Sequence, residues 1–245
     1  MASGDGMRAG RAGHGSMVLR TVLLVGIGLD ALLLGYGLLA YPASRGATGE
    51  DLLLETLLGV LLFLYLYASL YGTREYDLVD RWIHRQGILF GVAVGALWAA
   101  EVLNGDLGDT ALFGSLRSVN FTLYRAIGQV LIASIPVLLL LGAGHAGRKT
   151  GQVTAGVQVG LWSGLISGLI AVGILLLMTY AFKDALALSP TKLSDFSTSG
   201  ESNLLAFLVK NARIAGTAYL ATGLVLGAAS GALGGLLGWS LQRKR

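Results

Sequence analysis

The chain reads as an all-α, polytopic integral membrane protein with six transmembrane helices, and three observations predict this. First, 54% of its 245 residues are hydrophobic and only 13% are charged, whereas soluble domains carry about 25% charged residues. Second, the apolar residues gather into six runs, each long enough for the roughly 20 residues that a helix needs to cross a bilayer. Third, two of these runs carry glycine at a spacing of four: Gly156, Gly160, Gly164 and Gly168 in one, Gly223, Gly227, Gly231 and Gly235 in the other. Glycine at this density weakens a water-soluble helix by about 1 kcal/mol per residue relative to alanine. In lipid it lets two helix backbones approach to van der Waals contact. Glycine-zipper packing of helices 5 and 6 is therefore expected, with homo-oligomerisation as the other use of such a surface.

The expected spans are about 21–41, 52–72, 86–104, 123–143, 153–182 and 214–241. They make one membrane domain over residues 17–245. Residues 1–16, rich in Gly, Ser and Arg, are expected to form a disordered cytoplasmic N-terminus. Charge sets the orientation. With both termini in the cytoplasm, the inner segments hold Arg8, Arg11, Arg20, Arg74, Arg81, Arg85, Arg148, Lys149, Arg243, Lys244 and Arg245. The outer segments hold Arg45, Arg117, Arg125, Lys183, Lys192, Lys210 and Arg213. Eleven basic residues inside against seven outside satisfy the positive-inside rule. The plasma membrane is the expected location. Arginine outnumbers lysine 13 to 5, which suits a GC-rich bacterial genome.

Two connections carry expectations of their own. The inner segment Thr73–Arg85 reads TREYDLVDRWIHR, and its apolar Leu78, Val79, Trp82 and Ile83 fit one or two helical turns lying on the membrane surface. Lys183–Asn211 is the longest outer segment. It is expected to be flexible, with NLLAFLVKNAR forming a short interfacial helix before the last span. Pro136 removes a backbone hydrogen bond from span 4 and is expected to kink it.

Asp30 is the sharpest functional candidate. It lies near the middle of span 1 among leucines, where an aspartate costs roughly 2.5–3.5 kcal/mol to insert. Such a residue faces the bundle or water and is a functional candidate by default. A proton-accepting or cation-binding site stands against a structural hydrogen bond to a neighbouring helix. Glu55, Glu101 and Arg125 form a second group at similar depth, about one turn below the outer surface. Either Glu55 or Glu101 paired with Arg125 makes an acidic vestibule towards Asp30; unpaired, all three snorkel.

Other chemistries find no support in the sequence. The net charge of +4 is dispersed over the loops and forms no basic stripe for nucleic acid. There is no cysteine, so no thiolate chemistry. His14, His84 and His145 show no metal-ligand spacing. No zinc-protease, serine-hydrolase or phosphate-loop motif occurs. The expectation is no enzyme, no cofactor and no metal. The partners expected are the lipid bilayer and either a membrane protein or a second copy of the chain. The functional reading is a non-enzymatic membrane subunit or scaffold, with a small transporter or channel using Asp30 as the alternative.

Overall fold

A backbone in hydrocarbon has no water to bond to, so apolar segments close their hydrogen bonds within helices. The computed structural model describes residues 14–44, 49–73, 78–108 and 121–243, and these are 94% helical with no strand. Helix α1 spans His14–Ala40 and is followed by a 3-10 turn at Pro42–Ser44. Helix α2 spans Gly49–Tyr67 and ends in a π turn, Ala68–Gly72. Helix α3 spans Leu78–Val102 and likewise ends in a π turn, Leu103–Leu107. Helices α4 (Phe121–Thr150) and α5 (Val153–Ala181) follow. Two short helices, α6 (Lys183–Ala187) and α7 (Pro190–Ser199), lead into α8 (Leu204–Arg243). Six of these, α1 to α5 and α8, are long and apolar enough to cross a membrane.

Helix α5 occupies the centre. In its most apolar stretch 78% of residues are buried, against 22% in α1, α2 and α4. It packs against α8, α3, α4 and α1. Glycine makes this crowding feasible on two of its sides. Towards α8 the glycines meet in antiparallel order. A β-carbon on Gly223 would lie 3.2 Å from Cα of Gly168, and one on Gly227 would lie 2.6 Å from the carbonyl oxygen of Gly160. One on Gly235 would lie 3.3 Å from Cα of Gly156. Gly231 sits over Gly156 and Val157. Every obstacle is backbone, which cannot turn aside. Towards α3 the relation is knob and hole: Trp162, Ile166 and Ile170 of α5 fill the spaces left by Gly87, Gly91 and Gly95. Helix α4 joins the same core, with Gly234 of α8 against the carbonyl oxygen of Leu140 and the amide of Gly144.

The turn between α4 and α5 depends on Gly151, whose φ of +69° lies in the left-handed region that glycine enters without steric cost. Its N–H donates to the Gly147 carbonyl 3.0 Å away, closing α4. Gly151 meets Gln242 near the end of α8. Trp82 near the start of α3 carries Lys149 Nζ 4.3 Å from its ring centre and packs on His145. These residues mark one end of the bundle, where α1 and α5 begin and α8 finishes. The opposite end gathers the 3-10 turn, the starts of α2 and α8, and α6 and α7.

Several expectations change here. Residues 1–13 of the polar N-terminal segment lie outside the described residues, and its last three, His14–Ser16, already belong to α1. Residues 74–77 also lie outside. Leu78–Arg85 form no separate surface helix but are the first turns of α3, because Ile83 and His84 are buried and give that stretch an inner face. Lys183–Asn211 is folded. Ser189 caps α7 by accepting the Lys192 N–H, Pro190 occupies its first turn, and Gly200 ends it at φ 74°. Leu186 packs in a cluster with Met178 and Leu208. NLLAFLVKNAR is continuous with α8, which at 40 residues is about 60 Å long, twice the roughly 30 Å hydrocarbon core. Pro136 lies within α4, as its place in span 4 implies. Ser163 donates to the Val159 carbonyl on its own helix and to the Gly87 carbonyl of α3, at 2.7 and 3.2 Å, and Ser167 donates to Gly164 on its own helix.

Candidate functional site

The four polar residues singled out in the sequence fall in separate places. Asp30 lies on α1 with 1% of its surface exposed. Neither carboxylate oxygen has a hydrogen-bond partner among the described residues. It faces α5 at Gly173, where a β-carbon would stand 3.1 Å from Oδ1. It lines a groove of about 230 Å³ between α1 and α5. The walls are otherwise apolar, among them Val22, Gly26 and Leu29 on α1 and Ile170, Gly173 and Leu177 on α5. Leaving a buried acceptor without a donor costs about 1–3 kcal/mol, more if charged. Nearby hydroxyls are committed elsewhere. Tyr65 donates to the Leu220 carbonyl at 2.8 Å, and Tyr180 to the Leu33 carbonyl at 2.9 Å.

Glu55 does not meet Arg125. Its partner is Arg213 of α8, with Oε1 3.2 Å from Nη1. Arg213 is only 5% exposed, and its Nη2 also donates to the Ser44 carbonyl. One turn away, Lys210 Nζ reaches Asp51 at 2.9 Å and Glu201 at 2.8 Å. These bonds tie the 3-10 turn and α2 to α8. Arg213 wins over Arg125 because α8 presents it inward beside α2, whereas Arg125 is exposed at the opening of α4 and pairs with neither glutamate.

Glu101 accepts a hydrogen bond of 3.0 Å from Tyr219 Oη. Tyr219 in turn stacks edge-on against Trp98, centroids 5.0 Å apart. Tyr219 also borders a second, smaller cavity of about 90 Å³, with Thr179, Asn211, Asp106 and Lys192 in its wall. Lys192 and Asp106 are bridged at 2.8 Å, pinning α7 to the end of α3. Glu55 and Glu101 thus hold helices together: neither pairs with Arg125 as a vestibule would need, and neither is left to snorkel alone. The reason lies in azimuth: equal depth does not place residues on facing sides of their helices.

Sequence reasoning counted Arg213 only as an outer charge and passed over Tyr65, Tyr180 and Tyr219. A signal was present. Hydroxyl and guanidinium groups inside apolar helices need partners, and each of these finds one on another element. His84 is buried against Trp162, and His145 rests on Trp82. Among the described residues no group of three or more His, Asp or Glu could hold a metal ion.

No protein-family model, curated protein or solved structure matches the chain at a significant level.

Proposed function

We propose that this protein is a non-enzymatic subunit or scaffold of a membrane assembly, multi-pass in the plasma membrane of a bacterium, with both termini cytoplasmic. The observation that carries this reading is how its polar side chains are used. Glu55, Glu101, Lys210, Arg213, Tyr65, Tyr180 and Tyr219 all bond from one element to another, which favours fixed architecture over a polar path. The positive-inside count supports this orientation, with the Gly151 and Trp82 end in the cytoplasm. Glycine zippers between α5 and α8 serve the internal core in this reading, because the glycine faces are occupied within one chain. Apolar residues exposed on α1 and α2, among them Leu32, Leu39, Val60 and Phe63, and on α4 and α8, among them Val130 and Val225, are the surfaces for lipid or for a partner helix. Photo-crosslinkers placed at Leu32 and Phe63 in native membranes test this. Adducts to one defined membrane protein are the expected result. Adducts to lipid alone contradict the reading.

One observation favours a second reading, a small transporter with Asp30 as its intramembrane proton or cation site. Asp30 is the deep carboxyl that no group among the described residues satisfies. Proteoliposome flux that disappears in Asp30→Asn supports this second reading, and flux indifferent to the substitution removes it.

A further inference from the structure

The α1–α5 groove combines features that no other part of the described chain brings together. Its lining runs from Ile166 to Leu177 on α5, a rise of about 16 Å. It is therefore elongated along the helix axes. At about 230 Å³ it falls below the roughly 300–1,000 Å³ of pockets for drug-sized ligands, so it suits a slim chain and is too narrow for a helix. Its walls offer apolar side chains and one carboxyl whose two oxygens lack donors. Leu29, 43% exposed, stands on its rim. Leu29 Cδ2 and Asp30 Oδ1 lie 3.9 and 3.1 Å from the same point beside Gly173. Leu29 thus stands beside the carboxyl at the rim of the groove.

We propose that this groove is a binding site for a small lipophilic amine with a single alkyl chain, and that Asp30 receives the amine nitrogen. An uncharged amine partitions into the bilayer and approaches along the apolar walls. The Asp30 carboxyl gives its proton to the nitrogen lone pair. The resulting ammonium N–H donates back to the carboxylate, with no net charge brought into the membrane. A charge-assisted hydrogen bond of this kind is about twice as strong as a neutral one, and it satisfies an acceptor that the described residues leave empty. The alkyl chain lies along Ile170, Ile174 and Leu177. The proposal rests on Asp30 as a deep polar site, as in the second reading above, but it does not require transport.

The test uses the full chain in lipid nanodiscs. Dicyclohexylcarbodiimide, itself lipophilic, reports whether Asp30 can be reached from the bilayer, with the adduct located by peptide mass spectrometry. N,N-dimethyldecylamine is the ligand probe, and decanol supplies the same chain with a neutral hydroxyl. The expected result is modification of Asp30, protection of Asp30 by the amine but not by decanol, and binding weakened on the order of tenfold or more in Asp30→Asn. Leu29→Trp, which bulks the rim from a lipid-facing position, is expected to weaken binding with an unchanged melting profile. Equal protection by decanol, or equal amine affinity in Asp30→Asn, overturns the amine site while leaving Asp30 available as a proton site. A carbodiimide that never modifies Asp30 overturns both, because the carboxyl is then sealed from the membrane.

Discussion

Helix α5 meets α8 and α1 in opposite ways. Against α8, glycine faces glycine, and the backbones themselves are the contact surface. Against α1, side chains hold the helices apart around Asp30 and a groove of about 230 Å³ remains. The first contact gains dispersion energy over many atom pairs and leaves no polar group exposed. The second forgoes that gain and tolerates an unsatisfied carboxyl. Stability is concentrated where the chain gives up side chains. The open chemistry lies where it keeps them.

The largest expected effect breaks the tight contact. Gly164→Leu forces a side chain into the backbone of Gly223 and Gly227. Overpacking costs about 1–3 kcal/mol even where side chains can yield, and here none can. Loss of the folded protein from size-exclusion profiles and thermal melts is expected. Next is Glu55→Gln, which leaves the buried Arg213 with the Ser44 carbonyl but no counter-charge. A loss of about 2 kcal/mol is expected in thermal unfolding, reduced by the partial exposure of Glu55. Asp30→Leu tests the other contact and has the opposite sign. Replacing an unpaired carboxyl by a side chain of similar size raises stability by about 1 kcal/mol, read as a higher melting temperature. The smallest effect is Tyr219→Phe, which removes the bond to Glu101 and costs about 1 kcal/mol or less.

These expectations separate what the sequence makes legible from what it hides. Hydropathy locates six spans because the bilayer imposes one length and one polarity on each. Glycine spacing marks the α5 and α8 faces because close backbone approach excludes every other residue type. The same logic holds for Gly87, Gly91 and Gly95 of α3, a shorter stripe of equal spacing. Polar pairing was not legible. Arg125 and Arg213 both border apolar segments at the same depth, and only helix rotation decides that Arg213 meets Glu55. The full length of α8 was obscured because Lys210 and Arg213 resemble the end of a span. They are instead neutralised within a helix that continues past them. Asp30 was legible as an anomaly. Its lack of a partner was not.

The most direct measurement compares two glycine-to-alanine substitutions by melting temperature in the same detergent. Gly227→Ala places a methyl group 2.6 Å from the Gly160 carbonyl oxygen, while Gly28→Ala on α1 meets nothing within 4 Å. Alanine favours a helix by about 1 kcal/mol over glycine, so only contact can reverse the sign. Opposite shifts are predicted, downward for Gly227→Ala and level or upward for Gly28→Ala. Shifts of the same sign and size would contradict the backbone seam between α5 and α8.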